Sequence, residues 1–294
     1  MAVMAVAACG GDDSAAPGAN ARLPVVATIA PVGALVRAVG GDLVDLHVLA
    51  GPGVDPHDYE LRVDDRKAID SARLIVRNGA GIDSFLDRAV DVSGSKVVTV
   101  TDGLKLRSGL TDGREDPSSK DPHAWQDPTL AKAMALAVAS ALEKADPAHA
   151  AAYRANGAAY AAKLDEVDTE IRALVESLPP ANRKMVTNHD AFGYFIDRYG
   201  LTFVGAVIPG TSTQAEPSAK QIAQLEDLIR KEGVRAIFAE TSLDPKVAEQ
   251  VAHDTGVKIV DDLYGDSLGL PGSGADTIEG MLLSNTRKIV EALK

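Results

Sequence analysis

The chain has 294 residues, of which 46% are hydrophobic and 4% aromatic, and its formal net charge is −12 at pH 7. This length predicts about two domains, with enough apolar residues for a core in each. The acidic charge argues against a nucleic-acid partner, which needs a basic surface. The single cysteine excludes an internal disulfide and a cysteine-based zinc site.

The first residues predict an exported lipoprotein. Residues 1–8 form an apolar run of small side chains, and residues 6–10 (VAACG) are similar to a bacterial lipobox, at which Cys9 would be lipid-modified. A polar, Gly- and Ser-containing tether follows. The run is short and no Lys or Arg precedes it, so the alternative is an unstructured tail with an incidental cysteine. We favour residues 1–22 as a signal remnant and tether.

Strand and helix patterns alternate through the next part of the chain. β-Branched apolar runs predict strands, and apolar residues three or four positions apart predict helices. The predicted strands are residues 24–30, 43–50, 73–78 and 96–101, and the predicted helices are residues 31–39, 63–71, 84–91 and 129–144. Such alternation indicates βαβ units and a mainly parallel sheet. Residues 23–145 are therefore predicted to form a first α/β lobe, with residues 111–120 as a surface loop.

A long helix is predicted over residues 146–178, ending at Pro179 and Pro180. Its apolar residues form a single stripe, and at about 1.5 Å per residue it would measure roughly 45–50 Å. Such a helix is longer than the usual element of one domain, so residues 146–180 are predicted to connect two lobes. A coiled-coil helix is the alternative, but few charge pairs flank its apolar stripe.

The α/β alternation restarts after this helix, so residues 181–294 are predicted to form a second α/β lobe. The predicted strands are residues 184–188, 201–208, 234–239 and 257–260; helices are predicted over residues 191–199, 218–231 and 275–294, and from Asp244 onward. The predicted fold is thus α/β, with two lobes of mainly parallel sheet joined by one long helix.

Two histidines follow Asp-Pro steps, in residues 55–57 and 121–123. Each proline restricts its own backbone and that of the preceding aspartate, so the chain around His57 and His123 is stiff. A stiff backbone suits a pre-formed ligand position. For the second stretch, the alternative is that its Asp-Pro steps only cap the helix that begins near Pro128.

Four side chains share one kind of location, in loops that follow predicted strands. They are His57, His123, His189 and Asp266, two from each half of the chain. Ligands of open α/β sheets bind beyond the carboxyl ends of the strands, so these side chains converge if the halves face each other across a cleft. Three imidazoles and a carboxylate form a complete shell for Zn²⁺ or a related divalent ion. The remaining histidines are assigned to surface or structural positions.

Four ordered blocks resemble the zinc- and manganese-binding solute-binding proteins of ABC importers, the TroA-like or ZnuA-like group. They are residues 53–60 (GVDPHDYE), 121–128 (DPHAWQDP), 188–195 (NHDAFGYF) and 263–269 (LYGDSLG). The resemblance runs from about residue 23 to the last residue. It implies a metal in the cleft between two lobes, with His57, His123, His189 and Asp266 as ligands. It also implies a monomer that delivers its ion to an ABC permease and ATPase outside the cytoplasm.

The resemblance leaves the metal open between zinc and manganese. Many zinc-specific members carry a histidine-rich loop before the second block, whereas residues 101–122 contain no histidine. In many manganese-binding members of this family, the third ligand is similar to a glutamate, whereas this chain has His189 at that position. Imidazole donors favour zinc and carboxylates suit manganese, so we favour zinc. Manganese remains the alternative, because three-histidine members that bind it are known.

Glu240 ends a predicted strand beside the cleft, and we predict that it offsets the charge of the metal site and orients an imidazole. A capping or salt-bridged glutamate is the alternative. Two other functional classes are a zinc hydrolase and a surface adhesin. The hydrolase is disfavoured because four protein ligands would leave no open position and no HExxH motif occurs. No repeat or binding motif indicates an adhesin.

Overall fold

The computed structural model describes residues 22–90 and 96–294. The predicted lipobox at Cys9 lies outside these ranges. Within them, every helix is too short or too polar to cross a bilayer.

The first sheet contains four parallel strands in the order β2-β1-β3-β4. The strands are β1 Leu23–Ile29, β2 Val44–Ala50, β3 Leu74–Arg77 and β4 Val97–Thr99, and the helices are α1 Ala30–Gly40, α2 Val63–Ser71 and α3 Pro128–Ala145. Strands β1 and β3 are buried almost throughout, which explains their largely apolar sequences. A 3₁₀ turn, Ser84–Arg88, occupies the position of the helix predicted over residues 84–91.

A β-hairpin replaces the surface loop predicted over residues 111–120. Its antiparallel strands are β5 Ser108–Thr111 and β6 Arg114–Lys120. Asp112 and Gly113 between them have φ of 51° and 71°, and an Asp-Gly pair of this kind favours a tight hairpin turn. The prediction was wrong because it relied on apolar alternation, which a strand of mostly exposed polar residues lacks.

The second sheet also contains four parallel strands, in the order β10-β9-β7-β8. The strands are β7 Lys184–Thr187, β8 Thr202–Ala206, β9 Ala236–Glu240 and β10 Lys258–Leu263; the helices are α5 Gly193–Tyr199, α6 Ala219–Glu232, α7 Lys246–Thr255 and α8 Ile278–Leu293. Helix α6 begins at a capping box formed by Ser218 and Gln221 and ends at Gly233, whose φ is 64°. The two sheets with their helices confirm the predicted α/β fold.

The connecting helix is α4, Ala150–Glu176, with 27 residues and a length of about 40 Å. It begins later than predicted because a separate 3₁₀ turn, Pro147–His149, precedes it. Asp146 accepts hydrogen bonds that hold this turn, from His149 and from the Tyr153 hydroxyl. One apolar core extends from the first sheet through α3 and α4 to α8 and to one face of the second sheet. The lobe boundaries at residues 145 and 181 stay a prediction.

Candidate metal centre

The structure brings together the four side chains that the sequence singles out. His57, His123, His189 and Asp266 each offer one ligand atom, and these atoms lie within 4.8 Å of one another. His57 follows β2 in the 3₁₀ turn Pro56–Asp58, and His189 follows β7. Asp266 follows β10 in the same sheet as His189. The carboxyl ends of parallel strands in both sheets therefore supply three of the four members, whereas His123 follows β6 of the antiparallel hairpin.

The contacts inside this cluster are short but poorly aligned for hydrogen bonding. The Nε2 atoms of His123, His189 and His57 lie 2.9, 3.2 and 3.3 Å from the carboxylate of Asp266. These buried atoms nevertheless have no hydrogen-bond partner of acceptable geometry among the described residues. A buried polar atom without a partner is costly, and several of them converging on one point are satisfied together by a cation. The donor set fits a four-coordinate divalent ion.

The cluster is buried, and His57 is its most accessible member. The side chains of His123, His189 and Asp266 are 0% exposed, whereas that of His57 is 7% exposed. A cavity of about 890 Å³ lies beside the cluster, with His57 in its wall. His57 is therefore the member of the cluster that faces this cavity.

Carboxylates hold the outer nitrogens of two imidazoles. His123 Nδ1 is hydrogen-bonded to Asp121 Oδ1 at 2.8 Å, and the same oxygen accepts the His123 N–H at 3.0 Å. His189 Nδ1 lies 2.6 Å from Glu240 Oε1, a close ionic contact that falls short of hydrogen-bond alignment. Partners of this kind set the orientation and tautomer of a ligating imidazole. The sequence did not lead us to Asp121 as such a partner. A signal was present, because Asp55 and Asp121 each stand two residues before a histidine.

Glu240 also holds the loop that carries Asp266. Its Oε2 accepts a hydrogen bond of 3.0 Å from the Asp266 N–H. Gly265 leaves room for this contact, because a Cβ at that position would lie 1.9 Å from Glu240 Oε2. On the other side of the loop, Trp125 Nε1 and Gln126 Nε2 donate to the Gly265 carbonyl at 3.0 and 2.9 Å. The loop is therefore held from both lobes.

A half-buried arginine, Arg107, contacts the Asp121 carboxylate that holds His123. The sequence did not identify it as a site residue, because its segment has no recognisable pattern. Arg107 Nε lies 3.3 Å from Asp121 Oδ2, and its guanidinium donates to the Gly193 carbonyl at 2.7 Å. A Cβ on Gly193 would lie 2.6 Å from the guanidinium carbon, so this glycine permits the contact. Arg107 thus joins the His123 loop to helix α5 of the second lobe.

The buried charges shift the pKa values of the cluster. Burial alone would lower the pKa of His123, but Asp266 and Asp121 outweigh it and raise that pKa to about 9. Burial is likewise outweighed at His189, where Glu240 and Asp266 raise the pKa well above its usual value. Burial would raise the pKa of Asp266, but the surrounding histidines hold it well below its usual range. The metal-free cluster therefore binds protons that a metal ion must displace.

The chain is similar to proteins with known roles over nearly its whole length. It is 30% identical over 298 residues to the manganese-binding lipoprotein MntA of Bacillus subtilis, covering 100% of this chain and 96% of that protein. It is 28% identical over 301 residues to the metal ABC transporter substrate-binding lipoprotein ScbA of Streptococcus cristatus, again covering 100% and 96%.

A solved structure shows the same fold. The periplasmic zinc binding protein TroA from Treponema pallidum superposes with a TM-score of 0.86 at 32% identity, covering 93% of this chain and 99% of that one. Residues 25–292 match the family described as ZnuA, zinc-uptake complex component A, periplasmic. Since this match spans almost all of the chain, and a relative at 30% identity covers all of it, the protein belongs to the ZnuA family.

Proposed function

We propose that this protein is an extracytoplasmic solute-binding protein of an ABC importer. It captures one divalent transition-metal ion with His57, His123, His189 and Asp266 and delivers it to a permease and its ATPase. The observation that carries the proposal is the convergence of buried donor atoms, within 4.8 Å of one another, that lack hydrogen-bond partners among the described residues. The names of the relatives, which include metal ABC transporter substrate-binding lipoproteins, support the same role.

The donor set favours binding over catalysis. A catalytic zinc usually keeps three protein ligands and one position for water, with a general base beside it. Here one carboxylate and three imidazoles supply four protein donors, enough for a complete four-coordinate shell. An ion held in this way is carried rather than used to activate water.

Zinc is the proposed cargo, and manganese is the second candidate. Three imidazole nitrogens and one carboxylate form a softer donor set than the oxygen-rich sites that manganese prefers. The name of the Treponema pallidum structure refers to zinc. Manganese is supported by the Bacillus subtilis relative, whose name describes it as manganese-binding.

Metal competition tests this assignment. Chelator-stripped protein is expected to bind one equivalent of zinc, and zinc is expected to displace manganese at equal concentrations, because the Irving–Williams order and the imidazole donors act in the same direction. Elemental analysis after dialysis against both ions measures the outcome. Retention of manganese against equal zinc would leave the role unchanged but reassign the cargo. Failure to bind a full equivalent of either ion would contradict the proposed site.

We also propose that a lipid on Cys9 anchors the protein to the membrane. The proposal is supported by the small residues before Cys9 and by relatives that are named lipoproteins. Mass spectrometry of protein extracted from membranes is expected to find a diacylglyceryl group on Cys9. Cys9→Ser, the matched variant, is expected in the soluble extracytoplasmic fraction. A free thiol on membrane-extracted wild-type protein would contradict the anchor.

A further inference from the structure

We propose that Thr213 and Gln214 are positioning residues for His57, which they hold from the opposite lobe, and that they thereby set the rate at which bound metal leaves. The inference deepens the proposed function and rests on it. Both residues lie in the segment between β8 and α6 of the second lobe, whereas His57 lies in the loop after β2 of the first.

Thr213 acts on His57 through one shared carboxylate. The Thr213 hydroxyl donates to Asp55 Oδ2 at 2.7 Å. The other oxygen of that carboxylate, Oδ1, accepts the backbone N–H of His57 at 2.9 Å. Asp55 therefore ties the backbone donor of His57 to the opposite lobe.

Gln214 holds the other backbone group of the same residue. Its side-chain Nε2 donates to the His57 carbonyl at 2.7 Å. The N–H and the C=O of His57 are thus both connected to consecutive residues across the cleft. A further bond from the second lobe holds the start of this loop, where Ser267 Oγ accepts the Gly53 N–H at 2.6 Å.

The hydrogen bonds to the backbone of His57 take the place of a ring contact that the other two imidazoles have and His57 lacks. His123 and His189 each have a carboxylate within 2.8 Å of Nδ1, from Asp121 and Glu240. In the described ranges, no side chain is hydrogen-bonded to the second ring nitrogen of His57. The orientation of its ring therefore depends on the backbone of its loop, and that backbone is held by Thr213 and Gln214.

The position of His57 links this support to metal release. His57 lies in the wall of the cavity and is the most exposed donor, so it is the donor that can leave first. Gln214 and Ser212 lie in the same wall. While the two cross-cleft bonds persist, His57 stays in place and the ion keeps all of its protein donors. Weakening them raises the rate of dissociation, whereas the rate of association is set mainly by access.

The test measures zinc release from loaded full-length protein into excess chelator by stopped flow. Thr213→Val removes the hydroxyl at constant shape, and Gln214→Leu removes the amide. An ordinary hydrogen bond predicts roughly fivefold faster release for each variant and about 25-fold for the double variant. Thr213→Ser keeps the hydroxyl and is expected to release zinc at about the wild-type rate. Gln250→Leu is a matched control on α7, where that side chain contacts Asp254 at the surface.

Two further measurements distinguish a role in positioning His57 from a general loss of folded structure. The association rate is expected to match wild type, and the melting temperature of metal-free protein is expected to fall by only a few degrees, because the two bonds are part-buried and exposed rather than in the core. Wild-type release rates in a double variant that binds a full equivalent of zinc would overturn this inference alone. Failure of the wild-type protein itself to bind zinc or manganese would overturn the proposed function together with the inference.

Discussion

His123→Ala is expected to weaken zinc binding roughly a thousandfold, because it removes one of four donors from a site whose total binding free energy is on the order of 10–16 kcal/mol. His123 is fully buried, so bulk water cannot freely replace its imidazole. The substitution also removes the imidazole hydrogen bond to the buried Asp121 carboxylate, which keeps only the bond from the backbone N–H of residue 123 and the contact with Arg107. Competition with a chelator of known affinity measures the loss.

The matched control for this substitution is His253→Ala. His253 lies on α7 and its side chain is 83% exposed, so its removal is expected to leave zinc affinity unchanged. Both variants are first checked for cooperative unfolding without metal. Wild-type affinity in a folded His123→Ala variant would show that the cluster is not the metal site.

Glu240→Gln is expected to weaken zinc binding less than His123→Ala does. The amide can still accept the Asp266 N–H but no longer places a negative charge beside His189 Nδ1. Loss of such a partner typically costs about 10- to 100-fold in metal affinity. The order of affinities should be wild type, then Glu240→Gln, then His123→Ala. If Glu240→Gln binds zinc like the wild type, the proposed role of Glu240 is to be abandoned.

Zinc affinity is expected to rise steeply between pH 6 and 9, by up to about 100-fold per pH unit at the low end of this range. The raised pKa values of His123 and His189 mean that both imidazoles carry protons in the metal-free protein at neutral pH. Each proton must leave before its nitrogen can bind an ion. The part of the gain that comes from His123 ends as the pH passes its pKa of about 9. Calorimetry in buffers of different ionisation enthalpy is expected to count about two protons released at pH 7.

The stability of the metal-free protein should respond to pH in the opposite direction. A histidine pKa that is raised on folding contributes stability below the unfolded value of about 6.5. For His123 this contribution is lost as the pH rises through about 9. The melting temperature of stripped protein should therefore fall over this range while zinc affinity rises. A zinc affinity that does not change between pH 6 and 9 would contradict the conclusion that the metal-free cluster carries protons which zinc must displace.

Much of the fold was predictable because the central strands of its two parallel sheets are buried on both faces. Strands β1, β3 and β9 are largely apolar, and helices with periodic apolar faces separate the parallel strands. The hairpin of β5 and β6 lacks such a pattern, since its side chains are mostly exposed and polar. Its Asp-Gly turn was the one local indication of its structure.

The meeting of His57, His189 and Asp266 can be predicted from the sequence, because each follows a parallel strand and such strands end at one edge of a sheet. How the site side chains are held depends on contacts that form only when the chain folds. The partners Asp121, Arg107, Thr213 and Gln214 act through contacts between residues that are often distant in the chain, and no local periodicity encodes such contacts. Local sequence sets the conformation and position of a donor, whereas its orientation and its protons depend on neighbours that folding brings to it.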